Sequence, residues 1–394
     1  MNTVLTVNGG SSSLKCALFA QNAIGLQCRY IFKLSNILKD ASLKVSDATG
    51  KVLATQALNF SEVAREGRHQ AALQVVMNWL AEQAPDSHPV AIGHRVVHGG
   101  EVFSAPTLVT DEILTALEDF IPLAPLHQPY NLKLIRACQA IAADLPQVAC
   151  FDTMFHAGQP LEERNYALPQ KYTDAGIHRY GFHGLSYEFI HRHLTTMAFG
   201  ELKTVICHLG AGASMCAVKA GRSIASSMGF TAVEGLPMGS RCGNIDPGVL
   251  LYLQRHDEMS LEAVETLINK QSGLLGVSGI SSDMQELHRS DDPRAEEAIN
   301  MFAYRISLEL GRLSAALQGL EQVVFTGGIG ENDADLRRRV LERSAWLGIR
   351  FDENANQQNE SLISTAESTV KVHVIATDEE AMIAMYVGEV QSNL

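Results

Sequence analysis

Short apolar runs punctuate the chain at Val4–Val7, Val90–Ile92, Val148–Phe151, Val205–Cys207, Val323–Phe325 and Val372–Ile375. Most are rich in β-branched residues, and each is soon followed by glycine or a polar residue, which predicts buried strands ending in loops. Between them, apolar residues recur at spacings of three and four in Ser61–Glu82, Asp111–Asp119, Asn131–Ala143, Leu261–Lys270 and Glu296–Leu317. That spacing predicts amphipathic helices, and the alternation of the two patterns predicts an α/β fold. A polar stretch, Asp352–Ser368, reads as a surface excursion before the last strand and a final helix-like segment, Glu379–Val387.

One pattern occurs twice. VLTVNGGSSSLKCALF at 4–19 and TVICHLGAGASMCAVKAG at 204–221 both read as strand, small-residue turn, strand. Two readings stay open: a duplicated α/β domain with an anion-contacting hairpin in each half, or two unrelated hairpins. The glycines favour the first, since they permit tight turns and let backbone N–H groups approach an anion. A length of 394 residues leaves room for two or three domains.

Composition narrows the partners. Against 31 basic residues stand 44 acidic ones, a net charge of −13, which argues against nucleic acid or an anionic membrane as the main partner. An anionic ligand must therefore be met by individually placed groups. The seven cysteines are scattered without a CxxC pair, which suits a reducing, cytoplasmic setting. No apolar run approaches the roughly 18 residues that span a bilayer.

A third glycine cluster, VVFTGGIGEN at 323–332, runs from a strand into a turn and towards a helix beginning near Asp333, a place where a nucleotide can meet backbone donors. There is no GxxxxGK[ST] and no protein-kinase landmark set, and GGIGEN departs from dinucleotide GxGxxG spacing. ATP on another architecture is the better reading. No compact thiol and imidazole spacing suggests zinc.

Nine ordered blocks then carry a specific resemblance: VNGGSSSLK (7–15), GHRVVHGG (93–100), APLHQPYNL (124–132), FDTMFH (151–156), RYGFHGLS (179–186), HLGAGAS (208–214), GLPMGSRCGNIDPG (235–248), TGGIGEN (326–332) and ATDEEAMIA (376–384). Over essentially its whole length the chain resembles the acetate and propionate kinase family of the sugar kinase, heat-shock protein and actin superfamily. The resemblance implies duplicated ribonuclease-H-like domains with an active-site cleft between them. One would span 1–150, joined by a C-terminal helix 379–394, and a nucleotide-binding one 151–378. It implies reversible phosphoryl transfer from ATP to a short carboxylate, with magnesium, or manganese in its place, and a homodimer.

Carried over by position, the resemblance names Asp152, Arg95, His183 and Arg241 as catalytic. Arginine suits the task because its fork meets carboxylate and phosphoryl oxygens, and an imidazole can donate to a phosphoryl oxygen. Asp152 is expected to orient its neighbours rather than act as a base, since a carboxylate substrate carries no proton to remove at neutral pH. Substrate would lie among Arg95, Val97, Leu126, His127, Phe182 and Ala232. Nucleotide would contact Ser13 and Lys15, His208, Leu209, Gly210, Ala211 and Gly212, Asp283, Met284 and Gln285, and Gly328, Ile329, Gly330, Glu331 and Asn332. Ser11 and Ser12 add hydroxyls to the first hairpin. Asn8 and Glu379 are the expected magnesium ligands, with Glu380 one residue away, and His98 is expected to be structural. The chain departs from the family pattern at Gly9, Ala211 and Asp378, and more sharply at Gln285, where arginine is usual. Val97 resembles the acetate form, whereas Ala232 replaces a proline and leaves room for propionate. The rival readings are a butyrate or sugar kinase and an actin-like nucleotide-dependent scaffold.

Overall fold

The computed structural model describes residues 2–10, 12–22 and 25–392. Ser11 and the last two residues of the expected 379–394 helix lie outside the described residues. The chain divides into two units, 1–154 with 378–394, and 155–377.

The first unit holds β1 (Asn2–Gly9), β2 (Leu14–Asn22), β3 (Gly25–Ser35), β4 (Ala41–Asp47), β5 (Val52–Leu58), β6 (Ala91–Val96), β7 (Thr107–Leu108) and β8 (Gln147–Phe151) in one sheet of order β5-β4-β3-β2-β1-β6-β8-β7. Strands β1 to β5 pair antiparallel in succession, whereas β1, β6 and β8 are parallel neighbours. The second unit holds β9 (Thr204–Leu209), β10 (Ala213–Lys219), β11 (Arg222–Ser226), β12 (Gln322–Thr326) and β13 (Lys371–Val374) in the order β11-β10-β9-β12-β13. Here too an antiparallel meander precedes two parallel strands. The order β3-β2-β1-β6-β8 is thus repeated as β11-β10-β9-β12-β13. This is the duplicated ribonuclease-H-like, actin-type fold, and the two similar hairpin sequences are its equivalent first hairpins.

Helices cover the sheets. In the first unit α1 (Arg68–Gln83) and α2 (Gln128–Ile141) pack Val76, Leu80 and Leu134 against Leu5, Val7, Leu18 and Phe32. In the second, α3 (Gly184–Thr196) places Tyr187 and Ile190 against Ile206, Val218 and Val324. The long α4 (Pro293–Ala316) is capped by Asp292, whose carboxylate accepts from Arg294 N, with proline at its first position. Strands β8 and β12 are buried at every position, as strands covered on both faces must be.

The last helix, α7 (Glu379–Ser392), belongs to the first unit. It packs closely because β6 carries Gly93: a Cβ there would lie 2.4 Å from Ile383 Cγ2 and 2.8 Å from Val387 Cγ2. Between α4 and α7 come α5 (Gly327–Asn332) and α6 (Ala334–Arg343), the latter capped by Asp333.

Several boundaries differ from the sequence pattern. The helix expected from Ser61 starts at Arg68, after turns at 61–64 and a 3₁₀ turn, Arg65–Gly67. The one expected from Asn131 starts at Gln128, with Pro129 in its first turn. Phe151 to Met154 and Asp378 belong to the first unit, because β8 stays paired to β6 through Phe151 and Asp152 N continues the ladder to Val96 O at 3.0 Å. Within Asp352–Ser368 lie a short helix, Glu353–Gln357, and bridges from Phe351 to Ser364 and Leu362 to His373. The sequence pattern does not predict β3 and β4 as apolar runs, because their apolar residues alternate with more exposed ones, nor β5, which has no buried position. No helix among the described residues is long and apolar enough to cross a membrane.

Candidate active site

In the first unit, parallel neighbours β6 and β8 each deliver a functional side chain at the carboxyl end, where α/β sheets carry their sites. Arg95 Nε and Nη2 donate to Asp152 Oδ1 and Oδ2 at 2.9 and 2.7 Å, and Arg95 Nη1 lies 3.2 Å from Glu379 Oε2. The Asp152 side chain is only 2% exposed and that of Arg95 21%. Burial works against the charge on Arg95, but Asp152 and then Glu379 outweigh it and hold its pKa above the ordinary value. Burial pushes the Asp152 carboxyl up while Arg95 pulls it down. Both Asp152 oxygens thus accept from Arg95.

Helix α2 fixes the strand end around this pair. Asn131 Oδ1 accepts from Val97 N at 3.0 Å, and Gln128 Oε1 accepts from His98 N at 3.2 Å. Half-buried Val97 and His127 and exposed Leu126 lie on these same segments, and His127 immediately precedes α2. His98 is wholly buried. On the first hairpin, Lys15 Nζ lies 2.6 Å from Glu380 Oε2, and Asn8 Nδ2 donates to Glu380 Oε1 at 3.5 Å. The acid that meets Asn8 is thus Glu380, while Glu379 turns to Arg95. Ser12 and Ser13 are exposed on the turn.

In the second unit, His183 stands in left-handed backbone, φ 58°, immediately before α3. Such a conformation is uncommon for a residue other than glycine, though histidine adopts it more readily than most. The His183 and His208 rings stack with centroids 4.4 Å apart, and each Nδ1 lies 2.8 Å from a serine Oγ, Ser214 and Ser186 respectively. A Cβ on Gly212, in the turn of the second hairpin, would lie 3.5 Å from His183 Nε2 and 3.9 Å from Arg241 Nη1. The bare backbone of Gly212 therefore forms a cradle beneath an imidazole and a guanidinium. Arg241 Nη1 also donates to Ala232 O at 2.9 Å, which ties Ala232 to the same neighbourhood. Phe182 is buried, and its carbonyl pairs with His156 Nε2 at 3.0 Å.

Beside this hairpin opens a cavity of about 740 Å³. It gathers Gly210, Ala211, Asp283, Met284, Gln285, Gly328, Ile329 and Asn332 from three separate segments, a hairpin turn and the starts of two short helices. Gly327 makes the third turn possible: its φ is 78°, and a Cβ there would lie 2.7 Å from Leu209 O. Leu209, Gly330 and Glu331 do not line the cavity. Leu209 and Gly330 are buried, and Glu331 Oε1 turns inward to accept from Gly327 N at 2.8 Å and Thr377 N at 3.2 Å. Asp283 caps a short helix, Met284–His288, accepting from Gln285 N and Glu286 N. His208, Gly212, Ser13 and Lys15 also lie outside this lining.

Further polar residues support the site. Gln128, Asn131, Ser186 and Ser214 fall inside the matched blocks, so their place in the sequence already marked them, though nothing assigned their partners. His288 and Arg289 also line the cavity, and no motif signals them. His288 Nε2 lies 2.8 Å from Asp333 Oδ2, and this hydrogen bond raises the His288 pKa.

The Acetokinase family profile matches residues 3–385. Acetate kinase of Methylocella silvestris is 46% identical over 391 residues, covering 97% of this chain and 96% of that one. Acetate kinase of Rhodopseudomonas palustris is 45% identical, with 98% of each chain covered. Among solved structures, Porphyromonas gingivalis acetate kinase superposes with a TM-score of 0.88 at 36% identity, covering 99% of this chain and 100% of that one. A propionate kinase from Francisella tularensis superposes with a TM-score of 0.91 at 35% identity, covering 98% and 99%. With strand order, paired hairpins and an end-to-end sequence match in agreement, the chain belongs to the acetokinase family.

Proposed function

We propose that the chain transfers the γ-phosphoryl group of ATP to acetate, reversibly, giving acetyl phosphate and ADP. A carboxylate oxygen forms the new bond to the γ-phosphorus as the bond to the β,γ-bridging oxygen breaks, and ADP leaves with that electron pair. No proton need move. The observation that carries this reading is the fork of Arg95 on Asp152. A sugar hydroxyl calls for an acid free to take its proton, whereas here the buried acid is committed to an arginine that can receive an anion.

Charge sets the difficulty of the reaction, because an anion must approach a polyanion. Arg95 binds and orients the carboxylate, and Asp152 holds the guanidinium in place. His183 and Arg241, over Gly212, donate to the phosphoryl oxygens as charge gathers there. The 740 Å³ cavity suits the nucleoside, with Gln285 at its wall.

Magnesium fits the donor set of the first unit. Asn8 turns its amide N–H towards Glu380, which leaves its carbonyl oxygen for a cation, and Glu379 adds a carboxylate; both are the hard oxygen donors magnesium prefers. The charge balance fits as well, since Arg95 faces two carboxylates and a divalent ion makes the neighbourhood positive. When bound, magnesium would neutralise phosphate charge.

Acetate is the preferred substrate because Val97 narrows the space beside Arg95. Propionate is the second reading, favoured by the small Ala232 held beside Arg241. The same reading carries a cytoplasmic setting and a second copy of the chain as partner; the exposed apolar Leu251 and Tyr252 suit such a contact. The test is a hydroxylamine trap for acyl phosphate with acetate, propionate, butyrate and a sugar. Acetate is expected to give the highest kcat/KM, and ATP consumption with the sugar alone would overturn the proposal.

A further inference from the structure

His183 enters α3 from left-handed backbone, and its side chain makes no capping hydrogen bond to the helix. Its orientation comes from a hydroxyl pair behind it. Ser214 Oγ, on β10, lies 2.8 Å from His183 Nδ1 and is also hydrogen-bonded to the phenol of Tyr187, one turn along α3. Tyr187 and Ser214 are fully buried, and burial raises the Tyr187 pKa far enough that the phenol keeps its proton.

These protons can be counted. If Tyr187 donates to Ser214, the Ser214 hydroxyl donates to His183 Nδ1, and every proton has an acceptor. If His183 Nδ1–H donates instead, then either the phenol proton or the serine proton is left buried with no acceptor in this set. Leaving a buried donor unsatisfied is the costly choice.

We propose that Tyr187 and Ser214 form a positioning relay that fixes His183 as the neutral Nε2–H tautomer, so that it presents a donor beside Arg241 over the bare backbone of Gly212. This rests on the reading of His183 as a phosphoryl contact. Tyr187 and Ser214 touch no reactant; they set which nitrogen of the ring carries the proton.

The test uses the full chain labelled with ¹⁵N-histidine, and His183 is assigned by its loss in His183→Ala. Long-range ¹H–¹⁵N correlations are expected to show an acceptor-type Nδ1 and a protonated Nε2. Ser214→Ala leaves the ring of His183 intact and removes the hydroxyl that donates to its Nδ1, so the partner that selects the tautomer is gone. The tautomer balance is expected to move towards Nδ1–H. With it kcat should fall about 3- to 10-fold, while KM for ATP and for acetate stays within about twofold. A wild-type Nδ1–H signature would overturn the relay, and this needs no variant to fold. Unchanged tautomer and kcat in Ser214→Ala, beside an impaired His183→Ala, would overturn the relay alone. Undiminished kcat in His183→Ala would remove the phosphoryl-contact reading on which it stands.

Discussion

Replacing Asp152 by asparagine keeps the shape of the side chain but takes its charge away from Arg95. The guanidinium then has Glu379 as its remaining carboxylate partner and loses the fork that aims it. Breaking a buried pair in this way costs up to about 3–5 kcal/mol, and the partial exposure of the Arg95 side chain places the expected loss near the lower end. Activity is expected to drop further than stability alone explains, by about 100-fold in kcat, because the orientation of a transition-state donor is lost. Chemical denaturation and steady-state kinetics on Asp152→Asn check both; wild-type kcat would refute the orienting role. Substrate size belongs to the same scale. Val97→Ala is expected to raise the ratio of kcat/KM for propionate over acetate about 10-fold, the worth of roughly one methylene. An unchanged ratio would show that Val97 does not bound the substrate.

Among the elements, α7 has the greatest reach, since residues from the far end of the chain bring Glu379 to Arg95 and Glu380 to Lys15. Its seat depends on Gly93. Gly93→Ala forces Ile383 and Val387 to move, and overpacking of this kind costs about 1–3 kcal/mol. The cost is expected to shrink in an Ile383→Ala background, where the nearest clashing atom is gone, and urea melts of the single and double variants measure the difference. Equal cost in both backgrounds would show that the helix does not sit on that glycine for steric reasons. The apolar pattern of Glu379–Val387 predicts this helix, but helical periodicity contains no term for the strand it covers. Strands β3 to β5 show the opposite limit. The alternation of β3 and β4 and the exposed β5 are weak signals one at a time, and hydrogen bonding to β2 and to one another makes them a sheet.

At the scale of the whole molecule, buried histidines set the response to acid. His94, paired with the Gln147 side chain, and His156, between Ser223 and the Phe182 carbonyl, both have pKa values lowered from 6.5 to about 4, chiefly by burial. Each is neutral in the fold and takes up a proton on unfolding. Their contribution is present above the unfolded value near 6.5 and is lost as pH falls from there towards about 4. Midpoints of urea unfolding are expected to fall through that window, and the slope should flatten in His94→Gln or His156→Gln. A slope unchanged by both substitutions would assign the acid sensitivity to other groups.

By itself the sequence determined the α/β class and the glycine turns, because periodicity and turn composition are local properties carried by the order of the residues, and the resemblance of its ordered blocks to a known family supplied the residue types a carboxylate kinase needs. It named Arg95 and Asp152, and it named His183 and Gly212, without saying that each pair meets. Tertiary structure alone decided that Glu379 faces Arg95 while Glu380 takes Lys15, that Glu331 turns inward, and that Tyr187 and Ser214 stand behind His183. The reason is physical. Which carboxylate a cation takes, and which nitrogen of a ring holds the proton, depends on distance and burial among groups up to hundreds of residues apart, and those are set only when the sheets and helices pack.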